Sequence, residues 1–344
     1  MAADIMEQPD GFARLLSGGH ATEIAAVAGE IARRAPRSVL FVARGTSDHA
    51  ALYAAYLSEI RLGLPVASAS PSAITLYGAR PDFTDTLVVG VSQSGGSPDL
   101  TEVLEVARAN GGLTLAVTNS PGSALARTAE LTVDVAAGHE RAVAATKTYT
   151  AELLALLLLV EGIRAGDGRL PADERDALAD LPQLAEATLR DTTAEDLAGR
   201  YRFASRMITT ARGYAYPTAR ETALKLMETS YLPALAFSGA DLLHGPLAMA
   251  DLDVPVLAVV GDGAGGRSMR DVVHRLGERR ADVVTIGATD VPGAAGRLAV
   301  PGVDERYGPL LDILPLQKLA LALALARGED PDSPRGLNKV TTTL

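Results

Sequence analysis

The sequence predicts an α/β protein built from two similar, doubly wound parallel-sheet domains in tandem. Short apolar runs of strand length alternate with segments of helical period, and the alternation occurs twice along the chain. In each half an Arg-Gly pair follows a strand-like run and precedes an Ala/Leu-rich helix, at Arg44-Gly45 and again at Arg212-Gly213, which points to an internal duplication. With 344 residues the chain has room for two domains of ordinary size.

The elements follow in order. Residues 1–35 form an N-terminal helical segment, with helical spacing from Phe12 to Arg34. Strand-like runs come next at Ser38 to Ala43, Thr86 to Val91, Leu113 to Val117 and Leu131 to Val135. Each is largely apolar, as expected for strands covered on both faces. The first domain, 36–168, closes where a helix over Tyr149 to Arg164 meets Ala165-Gly-Asp-Gly168 and Pro171. A helical linker over 169–198 carries its apolar stripe at Leu178, Leu181, Leu184 and Leu189. The second domain, 199–328, has strands at Phe203 to Ala211, Val254 to Val260 and Val283 to Ile286, and a helix around Leu314 to Ala326. Residues 329–344 have no regular pattern, and such a tail is ordinarily frayed.

Composition excludes several classes. The chain has no cysteine, so disulfides, thiolate metal sites and a cysteine nucleophile are ruled out, and the cytoplasm is the favoured compartment. A formal net charge of −10, no Trp and no basic face with interleaved aromatics argue against a nucleic-acid partner. Met1 to Asp10 carries Asp4, Glu7 and Asp10 without a basic or apolar leader pattern, so a standard secretion signal is not expected. The most membrane-like run, Leu153 to Val160, is too short to span a bilayer and lies between Glu152 and Glu161, which reads as a buried helix.

The sharpest local feature is the loop after the Thr86 run. Ser92, Gln93, Ser94 and Ser97 supply uncharged donors, and Gly95 and Gly96 let backbone N–H groups turn inward before a helix led by Pro98. A nest of this kind at a helix N-terminus holds phosphate without Lys or Arg, although a capped Ser/Gly turn has the same composition. The sequence is neither a dinucleotide fingerprint nor a P-loop. Gly45-Thr46-Ser47 occupies another strand end of the same domain, where open α/β sheets bind ligands. The polar segment Gly138 to Thr148 is a candidate pocket wall, with Lys147 either part of it or a solvated helix residue.

In the second half Glu221, Lys225 and Glu228 share one helix face, as an acid/base group or as a surface ion-pair ladder. His244 lies among apolar residues in Leu243-His-Gly-Pro-Leu247, as a catalytic or a structural histidine. A Glu and a His with a phosphate nest suit aldose–ketose chemistry, in which one group opens the ring and another moves a proton between C2 and C1. An unprotonated lysine could in addition form an imine.

Taken together, Glu7-Gln-Pro9, Gly45-Thr-Ser47, Ser92-Gln-Ser-Gly95, Ala145-Thr-Lys147, Ala223-Leu-Lys225 with Glu228, His244-Gly-Pro246 and Pro334-Arg335 to Lys339-Val340 resemble the double sugar isomerase (SIS) domain family. Nearly the whole chain is covered. It resembles the isomerase domains of glucosamine-6-phosphate synthases and, more closely, the stand-alone glucosamine-6-phosphate deaminases. The resemblance implies a phosphate loop of Ser92, Gln93, Ser94 and Ser97, with Ser47, Val143 and Asn338 near the sugar. It implies that Glu228 shuttles the C1/C2 proton with help from Lys225, and that His244 opens the ring and reaches across a homodimer. Lys339 is implied to approach the open-chain carbonyl.

No cofactor or metal is implied, only a phosphorylated aminosugar. A synthase carries a glutaminase domain with a cysteine nucleophile, which is not found here; Gly96 and Ser97 replace the synthase-like acidic residue and Thr, and Ser97-Pro-Asp-Leu100 resembles the deaminase branch. Met227 and Ala145 stand where synthases usually have Lys and Ser. The expected reaction is glucosamine 6-phosphate plus water to fructose 6-phosphate plus ammonia. Two alternatives remain open: a deglycase or isomerase for another phosphosugar, such as galactosamine 6-phosphate or a fructosyl-amine phosphate, and a phosphosugar-binding sensor without turnover.

Overall fold

The computed structural model describes residues 1–339. Its chain forms two compact units, one comprising residues 8–140, 147–182 and 338–339, the other residues 1–7, 141–146 and 183–337. Each unit is built on one five-stranded, wholly parallel sheet.

In the first unit the strands are β1 (Ser38–Val42), β2 (Val66–Ser68), β3 (Thr86–Ser92), β4 (Leu113–Thr118) and β5 (Leu131–Asp134), in spatial order β2-β1-β3-β4-β5. In the second they are β6 (Met207–Ala211), β7 (Ala234–Ser238), β8 (Pro255–Val259), β9 (Asp282–Gly287) and β10 (Gly296–Ala299), in order β10-β9-β8-β6-β7. Read from its own first strand, the second sheet repeats the order of the first, so the duplication suggested by the two Arg-Gly pairs holds at the level of topology. The pairs match locally as well. Arg44 and Arg212 are both extended helix-start residues, and Gly45 and Gly213 both adopt positive φ, +55° and +63°. In this strand order the switch point lies between the first and third strands, which puts ligands at the carboxyl ends of β1 and β3 and of β6 and β8.

The central strands are apolar throughout because helices cover both faces. Val88, Ala116, Leu104 and Leu125 lie in the core of the first sheet, and Val256, Ala258, Val273 and Leu276 in that of the second. The helix Lys147–Ala165 is apolar on every side because it is buried on every side, and it includes Glu152 and Glu161 among its buried residues. These two carboxylates bound the apolar run in sequence and are buried with it, as expected for a buried helix. Glu161 is neutralised by Arg61 at 2.6 Å and Arg164 at 2.5 Å. The helix with length and apolarity enough to cross a membrane is Gly308–Ala326 in the second unit, and 78% of that window is buried inside the protein, as for a core helix.

Several expected boundaries move. The N-terminal helical stretch is broken into Gln8–Leu16 and Gly18–Arg34, since Gly18 takes positive φ after Ser17. Phe203 does not begin a strand: it is 83% exposed beneath the Arg202 guanidinium, and β6 starts at Met207. Three strands were not among those expected, namely β2, β7 and β10, and all three lie at sheet edges.

Candidate active site

The Ser/Gly loop stands at the carboxyl end of β3, beside the switch point of the first sheet. Ser92 closes the strand, and its Oγ accepts the Gly95 N–H at 3.1 Å, while the Gly96 N–H donates to Ser94 Oγ at 3.3 Å. The loop is fixed from outside by the Asn119 N–H and Thr118 Oγ1, each donating to the Gln93 carbonyl at 3.2 Å. Gly95 has φ +56°, and a Cβ there would fall 2.1 Å from Ser123 Oγ, so only glycine fits. Ser97 takes the N-cap position of the helix Pro98–Ala109 without making a side-chain capping bond. The structure thus gathers Ser92, Gln93, Ser94 and Ser97 into one turn over a helix N-terminus, a geometry suited to an anion.

Two charged partners of this loop were not apparent from the sequence. Asp99 is 2% exposed in the first turn of that helix, and Arg44, at the end of β1, donates to its Oδ2 through Nε at 3.0 Å. The pair ties the carboxyl end of β1 to the start of the helix that follows the Ser/Gly loop. Ser47, on the first turn of the helix Gly45–Leu57, is buried and donates through Oγ to the buried Glu152 at 2.9 Å. Lys147 is not a solvated residue: it is 4% exposed at the start of its helix, where the Glu140 carboxylate accepts the Lys147 and Thr148 N–H groups at 3.0 and 3.1 Å.

The second unit holds the acid/base cluster. On the helix Tyr216–Ser230, Lys225 Nζ bonds Glu228 Oε2 and lies 3.3 Å from Glu221 Oε1. This is no surface ladder. The side chains of Lys225 and Glu221 are 1% and 0% exposed, and Glu228 alone opens outward at 23%. Burial disfavours the Lys225 charge, but Glu221 and then Glu228 outweigh it and hold the ammonium above the ordinary lysine range. Lys225 is therefore a fixed cation, unsuited to imine formation, and Glu228 is the member of the cluster that can meet a substrate.

Val143 lies half-buried in the segment 141–146 of this unit. That segment is held by the fully buried Asp4, which accepts the Arg141 and Ala142 N–H groups at 3.1 and 3.0 Å, while the Arg141 guanidinium reaches Glu7 at 2.8 Å. Glu7 thus has a structural partner, and Asp4 was the missed one.

His244 ends the helix Gly239–Leu243 and is exposed, with no side-chain hydrogen bond among the described residues. The satisfied structural histidine is thereby excluded within the single chain. The tail is not frayed through Arg335. Asp332 meets the Met1 amine, and Arg335 stacks on Tyr231 with its guanidinium carbon 4.0 Å from the ring centroid and pairs Glu329 at 3.3 Å. Asn338 is exposed and Lys339 half-buried at the limit of description, while Val340 to Leu344 lie outside the described residues.

With this geometry in view, comparison with known proteins identifies the class. The SIS domain matches residues 33–162 and 201–296, and the chain belongs to that family. It is 36% identical over 99% of its length to glutamine–fructose-6-phosphate aminotransferase (isomerizing) of Thermococcus kodakarensis, of which it spans 58%. A protein of Silicibacter pomeroyi DSS-3, provisionally described as a phosphosugar isomerase, superposes with a TM-score of 0.86 at 33% identity, covering 96% of this chain and 98% of that one. The C-terminal domain of the glucosamine-fructose-6-phosphate aminotransferase of Francisella tularensis gives 0.86 at 26% identity, with 96% and 97% covered. A glucosamine-6-phosphate deaminase of Thermotoga maritima, at 19% identity and a TM-score of 0.77 over 99% of each chain, shares the fold. The relatives with the higher identities are thus aminotransferases and a phosphosugar isomerase, and the greater closeness to deaminases expected from the loop sequence is not repeated in these figures.

Proposed function

We propose that the protein is a phosphosugar enzyme of the aldose–ketose type that converts glucosamine 6-phosphate and water to fructose 6-phosphate and ammonia. The observation that carries this reading is the buried, charged Lys225 gripped by Glu221 and Glu228, with Glu228 alone partly open to solvent. A sensor needs no such cluster, since phosphate recognition can rest on the Ser92–Ser97 loop.

In this reading the loop takes the phosphate and the ring opens to the C1 aldehyde. Glu228 removes the C2 proton, and the Lys225 ammonium steadies the charge that develops on the sugar. The proton returns at C1, leaving a ketimine at C2. Water adds to that carbon, and the C–N bond breaks to release ammonia and leave the ketose. Lys339 meets the carbonyl end, with Asn338, Ser47 and Val143 near the sugar. His244 opens the ring from a second copy of the chain, a role supported by its exposure and by exposed apolar neighbours, Leu243 at 40% and Leu252 at 62%.

The similarity to aminotransferases favours a second reading, isomerisation of a phosphosugar without loss of nitrogen. One experiment separates them. Glucosamine 6-phosphate given alone, without nucleotide or metal, is expected to yield equal amounts of ammonia and fructose 6-phosphate. Ketose formation from glucose 6-phosphate or galactose 6-phosphate with no ammonia from any aminosugar would establish the second reading. Saturable binding with no product in either assay would leave the sensor.

A further inference from the structure

The second sheet has its own counterpart of the phosphate loop, and it is already filled. β8 is the third strand of its sheet, as β3 is of the first, and each leads through a short loop into a helix. At β8 the loop runs through Gly261, Asp262 and Gly263 into the helix Ala264–Glu278, whose first three residues are Ala264, Gly265 and Gly266. The carboxylate of Glu305 sits on that helix start. Its Oε2 accepts the Ala264 N–H at 2.8 Å, and its Oε1 accepts Gly265 and Gly266 at 2.7 and 3.2 Å. The fit is close: a Cβ at residue 263 would fall 2.0 Å from Glu305 Oε2, and one at 265 would fall 2.7 Å from Oε1.

A second feature points into the same place. Asp312, 5% exposed, lines a cavity with Asp262, Glu305 and Gly302, and takes no hydrogen bond among the described residues. Burial, and after it the Asp262 charge, push its carboxyl up to about 8, so at neutral pH it carries a proton it could donate. The remaining cavity, about 20 Å³, has room for one water and not for an oxyanion.

We infer that Glu305 is a built-in anion that closes a latent oxyanion site in the second sheet. The geometry is that of a phosphate cradle with its ligand replaced by a side chain of the same chain: three consecutive backbone donors, glycines that permit contact, and a buried protonated acid facing the cavity. Asp262 disfavours a fully charged phosphate, which makes a singly charged oxyanion the better occupant once the plug is removed. The inference stands on the second unit alone and does not depend on the reaction proposed above.

Amide resonances of the full chain, titrated with inorganic phosphate and separately with acetate, test it. In Glu305→Ala the Gly265 and Gly266 signals are expected to shift saturably with either anion, at least about tenfold more tightly than in the wild type. Glu305→Ser, which also empties the cradle, serves if the alanine variant folds poorly and is expected to respond to phosphate as well. The inference is overturned if the amides of a folded variant do not respond, or if they respond equally in the wild type. Gly95, followed in the same titration, reports the Ser92–Ser97 loop separately, so its silence leaves the second-sheet result intact.

Discussion

Arg44 and Asp99, 55 residues apart, join the carboxyl end of β1 to the first turn of the helix that follows β3, with the guanidinium Nη2 also 2.9 Å from Asp99 Oδ2. Asp99 is buried and Arg44 half exposed, so the pair positions the Ser/Gly loop and leaves one face of the arginine to solvent. The pair fixes the first turn of the helix that follows the Ser/Gly loop.

Replacing either partner is therefore expected to weaken phosphosugar binding. Arg44→Ala leaves the Asp99 charge buried without its cation and should cost about 1.5–3 kcal/mol in ligand affinity, read as a raised KM with kcat little changed. Ser94→Ala should act in the same direction, with no effect on an unphosphorylated analogue. Calorimetric titration of both ligands checks this, and equal losses for the two would put the phosphate elsewhere.

Glu228 and Lys225 are expected to separate catalysis from stability. Glu228→Gln keeps size and the Glu221–Lys225 pair, so folding should change by less than about 1 kcal/mol while turnover falls by about 10²–10⁴. Lys225→Met removes the cation from the fully buried Glu221 and should destabilise the fold by about 3–5 kcal/mol. Denaturant unfolding beside steady-state kinetics decides the matter. Near wild-type rates for Glu228→Gln would return the cluster to a structural role.

How much of this was legible in the sequence depends on burial. The strands β1, β3, β4, β8 and β9 were readable within a residue or two because both faces are covered, which forces a continuous apolar run. The edge strand β5 was readable too, whereas β2 and β10 hold one large apolar residue each and the β7 run directly follows Pro233, which reads as a turn. The Ser92–Ser97 loop was legible since its chemistry is local. Asp4, Asp99 and Glu305 were not, because each acts on residues 39 to 138 positions away, and nothing beside them in the chain announces the partner. The burial of Glu221 and Lys225 was likewise hidden, since an i, i+4 pair has the same spacing on a surface as in a core.

Asp312 gives the fold a pH dependence of unusual sign. Its carboxyl titrates near 3.8 when exposed and at about 8 in the fold, so between those values the folded chain holds a proton that the unfolded chain has lost. Stability from this group is fully present at low pH and declines as pH rises, by about 1.4 kcal/mol per unit, until the folded carboxyl ionises. Asp312→Asn should remove the slope and gain on the wild type from pH 5 to pH 8. Parallel unfolding curves for the two proteins across that range would mean that Asp312 is ionised in the fold.

The tail sets the most direct test of the proposed chemistry. Asp332, Arg335 and Glu329 are tied to Met1 and Tyr231, so the chain is anchored in the second unit as far as Arg335. A truncation after Pro334 would remove the Arg335 stack and its ion pair, both made by an arginine side chain that is 72% exposed, and should lower stability only slightly. Truncation after Leu337 keeps these contacts and should melt with the full chain. Both are expected to lose nearly all turnover, because Lys339 and Asn338 are gone. Lys339→Ala should reproduce most of that loss, with phosphosugar affinity largely retained if the lysine acts on the carbonyl end. Thermal unfolding and kinetics of the three variants, measured together, separate the outcomes. A Leu337-truncated protein with full activity would remove Lys339 from the reaction, whereas a Lys339→Ala variant that loses affinity and rate in equal measure would make it a binding group.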